Sequence, residues 1–218
     1  MIKLISWNLL RLTGASLDDV VRLIQREQPD VLLMQEATEQ MDGLVARVGG
    51  QYLRSPMPGR PHGLAVWSAL PLLRRPRVLK LPSGAIFERV SQIIELGDFT
   101  VANVHLSHGQ VLNRRQLRSI AKILPFRAAL VGDYNLIGPA LLPDFRDVGP
   151  REPTHMAGDM VPVRLDRCLV RGLACSEARA LLKGTSDHRP IVVKLKLAAD
   201  LHATAADSGV WRLARSVP

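Results

Sequence analysis

The sequence contains few cysteines, few aromatic residues and no long apolar run. Its two cysteines, Cys168 and Cys175, are too few for a disulfide scaffold and do not form a zinc-type cluster, which favours buried or free thiols in a reducing compartment. Aromatic residues make up 4% of the chain, so a stacking platform for single-stranded bases is poorly supplied. No apolar stretch approaches the roughly 18 residues of a membrane-spanning helix, and the first residues lack the pattern of a signal peptide. We therefore expect a soluble, cytoplasmic protein without a membrane span.

The composition is that of a folded globular chain. Of 218 residues, 47% are hydrophobic and 22% are charged, with 15 prolines and 16 glycines. This length suits one domain, which we assign to residues 1–197. Residues 198–218 are richer in alanine and polar residues and are expected to form a loosely held or disordered tail. In that tail a frayed helix over 198–206 is one possibility, and Trp211 is the residue best suited to dock.

The charge is strongly basic. The chain carries 29 Lys and Arg against 20 Asp and Glu, a formal net charge of +9. This balance favours phosphate-rich partners, with nucleic acid first among them, but it is equally compatible with an arginine-rich composition that has no bearing on ligands. The arginines in question either track phosphates along the rim of a site or form a solvated helix face and loops; they are Arg54, Arg60, Arg74, Arg75, Arg77, Arg114, Arg115 and Arg118.

Hydrophobic periodicity predicts a βαβ unit at the start of the chain. The apolar run over residues 2–7 predicts a buried strand, and the bounded run over 31–34 predicts a second. Between them, Ser16 is followed three residues later by Asp19, which predicts a capped helix that stops before Pro29.

The rest of the chain is predicted to be mostly strand. Short β-prone runs separated by Pro or Gly predict antiparallel neighbours, whereas apolar residues at helical spacing over 110–123 predict a second helix. The predicted strands are 63–68, 77–81, 85–95, 99–106, 128–131, 164–170 and 190–197. Strand-only stretches mixed with βαβ units favour an α/β sandwich in which helices cover packed sheets.

Polar residues repeatedly follow these apolar strands. Taken singly, each reads as a turn former, a helix cap or a solvated loop residue. Because the ends of neighbouring strands lie side by side, the set can converge on a single cleft. Its members are Asn8, Glu36, His105, Asp133, Asn135, Asp166, Asp187 and His188.

The same residues fall in motifs whose order resembles the endonuclease/exonuclease/phosphatase superfamily, of the deoxyribonuclease I-like type. The motifs are Trp7-Asn8, Gln35-Glu36, Asn103-Val104-His105-Leu106, Gly132-Asp133-Tyr134-Asn135, Leu165-Asp166-Arg167 and Ser186-Asp187-His188-Arg189-Pro190. The resemblance spans Asn8 to about Leu197. It implies a four-layer α/β sandwich, two central mixed β-sheets flanked by helices, with a metal-dependent phosphoester-cleaving site at one end.

The resemblance also implies a metal site. Glu36 would be the main metal carboxylate, with Asn8 and Asp187 in or near the same shell. The acidic and amide groups of the motifs form an oxygen-rich set without cysteine, which fits Mg²⁺ or Mn²⁺ better than zinc.

The resemblance assigns the chemical steps to other members of the set. Asp133 would align or deprotonate the attacking water, and Asn135 would hold that water or the phosphate. His188 would contact the scissile phosphate, oriented by Asp166, whose carboxylate would raise the pKa of the imidazole. His105 would assist the leaving oxygen.

Three histidines outside these motifs remain open. His155 lies in a proline-rich loop and is either a substrate contact or a plain loop residue. His62 and His108 are expected in surface turns.

We thus expect a divalent-metal-dependent phosphoester hydrolase. Its first candidate substrate is DNA or RNA, cut with little sequence preference because nothing in the sequence indicates base reading. The alternative is an inositol phosphate, a phospholipid headgroup or another small phosphoester. A non-catalytic binding module of the same fold is the third hypothesis. The sequence does not indicate which oligomeric state the protein adopts.

Overall fold

Strands outnumber helices in the structure, a computed structural model that describes residues 1–11, 13–84, 88–158 and 160–198. The strands of these residues are β1 Ile2–Asn8, β2 Val31–Ala37, β3 Gln51–Pro56, β4 Gly63–Ser68, β5 Arg77–Lys80, β6 Val90–Glu95, β7 Thr100–His105, β8 Ala128–Asp133, β9 Arg146–Asp147, β10 His155–Ala157, β11 Val161–Val163, β12 Asp166–Arg171, β13 Leu173–Ala180 and β14 Ile191–Leu197. The helices are α1 Leu17–Glu27, α2 Leu44–Val48 and α3 Gln110–Ile123, and a 3₁₀ turn spans Glu39–Gly43.

The strands form two six-stranded sheets and one small hairpin. The first sheet has the order β13-β14-β1-β2-β4-β3, and the second has the order β5-β6-β7-β8-β12-β9. In each sheet one central pair is parallel, β1 with β2 and β7 with β8, while the neighbouring strands are antiparallel. Strands β10 and β11 pair with each other. Both sheets are therefore mixed, as predicted.

The two sheets pack face to face over a shared apolar core. Side chains alternate between the faces of a strand, so Leu4 of β1 points into the space between the sheets while Ile5 points to the outer face. From the second sheet, Val101 and Val131 reach the same inner core. Burial on both faces explains why these strands read as continuous apolar runs.

Helices cover the two outer faces. Val20 and Ile24 of α1 pack on the outer face of the first sheet, together with Leu44 of α2. Leu117 and Ile120 of α3 pack on the outer face of the second sheet. The order helix, sheet, sheet, helix confirms the four-layer α/β sandwich.

The βαβ unit at the start of the chain is confirmed. Ser16 caps α1 by accepting a hydrogen bond from the backbone N–H of Asp19, and the Asp19 carboxylate accepts one from the backbone N–H of Ser16. This reciprocal pair satisfies two donors that a helix start would otherwise leave open. The capped helix joins β1 to β2, and these two strands pair in parallel.

Several boundaries differ from the predicted ones. Strand β6 begins at Val90, not at residue 85, and residues 85–87 lie outside the described part. Strands β3 and β13 were not predicted; β13 reads as an alanine-containing helical segment but pairs along its length with β14. The proposed tail, with the helix over 198–206 and Trp211, lies outside the described residues beyond Ala198. In the described ranges, no helix combines the length and apolar content that crossing a bilayer requires.

Gly132, the last residue before Asp133, lies where the two parallel strands of the second sheet approach most closely. Its φ is +147°, and a Cβ built there would lie 2.1 Å from the carbonyl oxygen of Val104 on β7. We expect Gly132→Ala to lower the free energy of unfolding by at least about 2 kcal/mol, measured by urea denaturation, because both the strained backbone and the β7–β8 contact must adjust.

A matched variant separates these two causes. Gly97 has a φ of +84° with open space around its Cβ position. Gly97→Ala should cost only about 1 kcal/mol, the penalty of the left-handed backbone alone. Equal losses in the two variants would contradict the close approach at Gly132.

Candidate active site

Strand directions in the second sheet bring three of the predicted residues to one edge. His105 ends β7 and Asp133 ends the parallel strand β8, so the two are paired in register. Strand β12 runs antiparallel to β8 and begins at Asp166, which lies opposite Asp133. Asn135 follows two residues after Asp133 with a φ of +47°.

The first sheet contributes its own strand ends at the same place. Asn8 ends β1, and Glu36 lies near the end of the parallel strand β2. Strand β14 is antiparallel to β1 and begins at Ile191, so Asp187 and His188 immediately precede it. The strand ends of the two sheets meet at this place: Nδ2 of Asn8 donates a hydrogen bond to Oδ2 of Asp133 across the sandwich, at 3.0 Å.

Asp133 is the central group of this cleft. Its Oδ2 accepts hydrogen bonds from Nδ2 of Asn8 and from Nδ2 of Asn135 at 3.2 Å, and its Oδ1 accepts the backbone N–H of Asn135 at 2.9 Å. The Nε2 atoms of His105 and His188 lie 3.4 and 3.8 Å from the same Oδ2. Burial opposes the charge of Asp133, but the two imidazoles and these donors lower its pKa overall, so it is a carboxylate.

His188 forms a buried pair with Asp166. Its Nδ1 lies 2.8 Å from Oδ2 of Asp166, and its backbone is fixed by Ser186 and Trp7, whose side chains bond its N–H and its carbonyl. Thr154 supports the partner, because its hydroxyl accepts the backbone N–H of Asp166 at 2.9 Å. The ring of His188 is therefore held with Nδ1 toward Asp166 and Nε2 toward Asp133.

The proton of this pair resides on the imidazole. Burial disfavours the charged ring, but the carboxylates of Asp166 and Asp133 outweigh it and raise the pKa of His188 to about 10. Burial also raises the pKa of Asp166, an effect that the charge of His188 reduces. At neutral pH the protein thus holds a cationic imidazole in the cleft.

Glu36 occupies an irregular point of β2. Its φ is +55°, unusual for a residue other than glycine, and the pairing of β2 with β4 shifts register between Met34 and Ala37. Burial raises the pKa of Glu36; Arg11 opposes that effect and the nearby charge of Asp133 adds to it. A distorted backbone with a half-buried carboxylate is typical of functional sites.

His105 lies near the carboxylates of both Glu36 and Asp133. Its Nε2 lies 4.0 Å from Oε1 of Glu36 and 3.4 Å from Oδ2 of Asp133. Burial lowers its pKa to about 3, with a further contribution from the charge of Arg89. Unlike His188, His105 is therefore a neutral imidazole.

His155 is not a plain loop residue. It begins β10, its ring centroid lies 4.4 Å from that of His188, and its Nδ1 is 3.7 Å from Oδ2 of Asp187. A backbone bridge joins it to His188. The structure thus places His155 against the cleft, on the side of Asp187.

The donor set fits a hard divalent cation. Glu36, Asp187 and the side-chain oxygen of Asn8 are oxygen donors on the strand ends and connections of the first sheet. Burial raises the pKa of Glu36, with a smaller contribution from Asp133, so a bound cation would stabilise its charged form. Within the described ranges, ligand atoms within 4.8 Å of one another occur in two groups, His155–Asp187–His188 and Asp133–Asp166–His188. The second is already committed to the His188–Asp166 hydrogen bond. Neither group includes Glu36.

Sequence reasoning missed a polar network beneath the cleft. The amide of Gln35 donates to Oδ1 of Asn103 at 2.8 Å, and Asn103 in turn donates to the carbonyls of Met34 and Ala65. These bonds join the two sheets directly below Glu36 and His105, which fixes the separation of those side chains. Asn103 is part of the motif that contains His105, but its position in the motif carried no indication of this role.

The prediction for His62 was wrong, and that for His108 was right. His62 precedes β4 and is buried, whereas His108 is exposed. Strand β4 is antiparallel to β2, so its first residue, Gly63, pairs with Ala37 beside Glu36. A histidine one residue earlier therefore lies at the same end of the sheet as Glu36.

The predicted basic rim is only partly available to a ligand. Arg54 forms a two-point ion pair with Asp42, and Arg74 lies 3.8 Å from Glu95. Arg115 and Arg118 of α3 are exposed. A phosphate-contacting role therefore stays a prediction for Arg115 and Arg118 of α3. Arg54 is a weaker candidate because Asp42 already pairs with it.

Comparison with solved structures identifies the fold. Zebrafish (D. rerio) TDP2 complexed with single-strand DNA product is 17% identical, with 89% of this chain and 98% of that chain covered at a TM-score of 0.70. The human Nocturnin catalytic domain with bound sulfate is 18% identical, covering 90% and 93% at 0.71. The mannosyl-6-phosphatase Bt3783 of Bacteroides thetaiotaomicron is 14% identical, covering 90% and 100% at 0.67. No curated protein matches the chain by sequence.

The sequence of the chain also matches a family model. The sequence model of the Endonuclease/Exonuclease/phosphatase family matches residues 5–188, a span that runs from before Asn8 to His188 and contains every predicted site residue. The same six motifs, the two mixed sheets and the four layers agree with this match. The chain belongs to the endonuclease/exonuclease/phosphatase family.

Proposed function

We propose that the chain is a divalent-metal-dependent phosphoester hydrolase, and specifically a phosphodiesterase that cleaves nucleic acid with little sequence preference. The observation that carries the proposal is the environment of Asp133: a buried carboxylate that faces one cationic and one neutral imidazole. Such opposed protonation states in one cleft supply a base and a charged hydrogen-bond donor at the same pH. We assign the activity to residues 1–197.

In the proposed mechanism Asp133 acts on the attacking water. Its Oδ2 is oriented by Asn8 and Asn135, and both donors keep it ionised. Asn135 is fixed in turn, because its Nδ2 also donates to the carbonyl of Leu106 at 3.0 Å. A rigid, ionised carboxylate can align water and accept its proton without reorganisation.

His188 stabilises the phosphate. Its Nε2 faces the cleft as an N–H donor that carries positive charge, since Asp166 holds the other side of the ring. Charge that develops on the non-bridging oxygens is stabilised there in a site of low solvent access. His155 packs against the same ring and lines the substrate side of the cleft.

His105 assists the leaving oxygen. Its ring is neutral and lies between Glu36 and Asp133, so it can donate a hydrogen bond without adding positive charge. Glu36, Asn8 and Asp187 would hold Mg²⁺ or Mn²⁺. That ion, when bound, would supply Lewis-acid neutralisation of the phosphate charge.

The net charge of +9 supports nucleic acid as the substrate. A small phosphoester is the second candidate. It is favoured by the fold that the chain shares with the mannosyl-6-phosphatase Bt3783 of Bacteroides thetaiotaomicron.

Metal removal tests the proposal. Protein treated with EDTA should hydrolyse bis(p-nitrophenyl) phosphate at the rate of a blank without enzyme, and Mg²⁺ or Mn²⁺ should restore turnover, because the carboxylates alone do not neutralise the phosphate. Both ions should also raise the melting temperature, since they bind only the folded protein. Plasmid DNA, an abasic oligonucleotide, RNA and inositol phosphates then assign the substrate class.

Two results would revise the proposal. A rate that EDTA does not change would contradict metal dependence. Turnover of an inositol phosphate or another small phosphoester, with no cleavage of any nucleic acid, would contradict the nuclease assignment and favour the second candidate.

A further inference from the structure

A second, basic pocket adjoins the proposed catalytic cleft. It is a cavity of about 230 Å³ lined by Arg11, Arg60, His62, Arg89 and His108, and it shares Glu36 with the cleft. No step of the proposed mechanism uses these five basic residues. Their concentration at one wall of the site makes this pocket a candidate for binding an anionic group.

The sheet topology places the buried members of this pocket. Strand β4 begins at Gly63 opposite Ala37, so His62 comes before it at the edge that carries Glu36. Strand β6 begins at Val90, and Ser91 pairs with Val104 of β7, so Arg89 comes before it at the edge that carries His105. His62 and Arg89 are 5% and 7% exposed. Both side chains are therefore held within the fold and are not mobile surface groups.

The charge inside the pocket is positive. Nη1 of Arg11 lies 3.4 Å from Nδ1 of His62, and burial together with Arg11, Arg60 and Arg89 lowers the pKa of His62 to about 4. Glu88 also lines the pocket, but its carboxylate pairs with Lys80 at 2.8 Å. The pocket thus combines three guanidinium groups with two carboxylates, those of Glu88 and Glu36, and the charges of Arg11 and Arg89 act on Glu36.

We propose that this basic pocket binds a terminal phosphate of the substrate, next to the phosphoester that is cleaved. The proposal rests on the proposed function, and it names the preferred substrate as one that carries a phosphate monoester beside the scissile bond. Guanidinium groups suit phosphate because their planar array of donors matches its oxygens. The cavity is smaller than the roughly 300 to 1,000 Å³ of pockets for whole small molecules, so it accepts a group and not a nucleoside.

The charge count favours a monoester over an internal diester. A phosphate monoester carries close to two negative charges at neutral pH, whereas a diester carries one. The more highly charged monoester gains more in a cavity where three arginines outnumber the carboxylates of Glu36 and Glu88. Such a group occurs at the phosphorylated end of a nucleic-acid strand and in a small bisphosphate, and substrate pairs can distinguish these two sources.

The first experiment compares substrates that differ by one phosphate. In the presence of Mg²⁺, kcat/KM is measured for oligonucleotides with a phosphate or a hydroxyl at the 5′ or the 3′ end, and for a nucleoside 3′,5′-bisphosphate against its monophosphates. We expect at least one pair to favour the phosphorylated form by about tenfold to a hundredfold, the value of a charge-assisted contact. An oligonucleotide pair would identify a strand end, and the nucleoside pair a small bisphosphate.

The variant Arg60→Gln assigns that preference to the pocket. Arg60 is exposed in the turn before β4, so its replacement should not disturb folding. The preference should fall to about onefold in Arg60→Gln and be partly retained in Arg60→Lys. Arg22→Gln, which removes an exposed arginine from α1, is the matched control and should keep it. If the protein turns these substrates over, a preference that Arg60→Gln does not change, or no preference in any pair, would overturn the proposal.

A binding measurement does not depend on turnover. Calorimetry of inorganic phosphate with the EDTA-treated protein should show binding that Arg60→Gln weakens about tenfold or more and that Arg22→Gln preserves. Turnover without phosphate preference and without this binding would reject the pocket and retain the hydrolase. Arg60-dependent binding without any turnover would retain the pocket and reject the hydrolase.

Discussion

Replacing Asp133 by asparagine should lower kcat on bis(p-nitrophenyl) phosphate by about 10²- to 10⁴-fold, the range for loss of a general base. The buried carboxylate receives three donors, one from Asn8 and two from Asn135, and an amide in its place would direct an NH₂ group at part of this array. The variant would therefore lose both the basic oxygen and its orientation. The rate is measured with saturating Mg²⁺ so that a change in metal affinity does not enter.

The matched control is Asp144→Asn. Asp144 is exposed in the segment after β8 and has a φ of +64°, which asparagine tolerates. It should retain wild-type activity, and urea denaturation should show that both variants are folded. Wild-type turnover in a folded Asp133→Asn protein would refute the assigned role. If Glu36→Ala then also kept full metal affinity, the binding-module hypothesis would be favoured over the enzyme.

His188→Gln should lower kcat by about 10²- to 10³-fold, because it removes the positive donor that faces the phosphate. Asp166→Asn should have the smaller effect of about tenfold to a hundredfold, the range for groups that orient a reacting side chain. The reason is that His188 keeps its position through Ser186 and Trp7 but loses the carboxylate that holds its proton. The steady-state rate of each variant gives these losses.

The double variant that combines His188→Gln with Asp166→Asn gives the more discriminating measurement. Since Asp166 acts through His188, the double variant should be about as slow as His188→Gln alone, and the two losses should not multiply. Asp98→Asn, in the exposed turn between β6 and β7, is the matched control for the acid replacement. Losses that multiply would show that Asp166 has a function independent of the histidine.

Much of the fold was predictable from local patterns. The capping pair of Ser16 and Asp19 and the apolar spacing after it predicted α1, and α3 followed from the same periodicity. Continuous apolar runs predicted β1, β2 and β8, because strands covered on both faces show no alternation. These signals lie within a few residues of one another, so they are present before any long-range contact forms.

Strand β13 shows where local signals fail. Leu173–Ala180 contains alanines, glutamate and arginine, residues that favour a helix in isolation. It forms an edge strand because β14 offers it a complete set of backbone partners and Leu173 packs into the inner core. A tertiary contact therefore overrides the intrinsic preference.

The candidate site divides in the same way. Polar residues at strand ends indicated Asn8, Glu36, His105 and Asp133 because the chain itself marks where each apolar run stops. His62 and Arg89 precede strands, and only the antiparallel pairing of β4 with β2 and of β6 with β7 brings them to the same edge. Without the pairing of the strands, the sequence does not show which end of a strand lies at the site.

Local patterns predicted the central strands, the two long helices and the polar residues at the ends of apolar runs, since each of these depends on neighbours along the chain. The raised pKa of His188 was predicted from its expected pairing with Asp166, but the contrast with His105 depends on contacts between distant parts of the chain. His105 and His188 are both buried histidines, yet one has a pKa of about 3 and the other of about 10. Burial disfavours charge on both rings, and Asp133 lies near both of them. Asp166 contacts only His188 and, together with Asp133, outweighs burial there, whereas the charge of Arg89 adds to burial at His105.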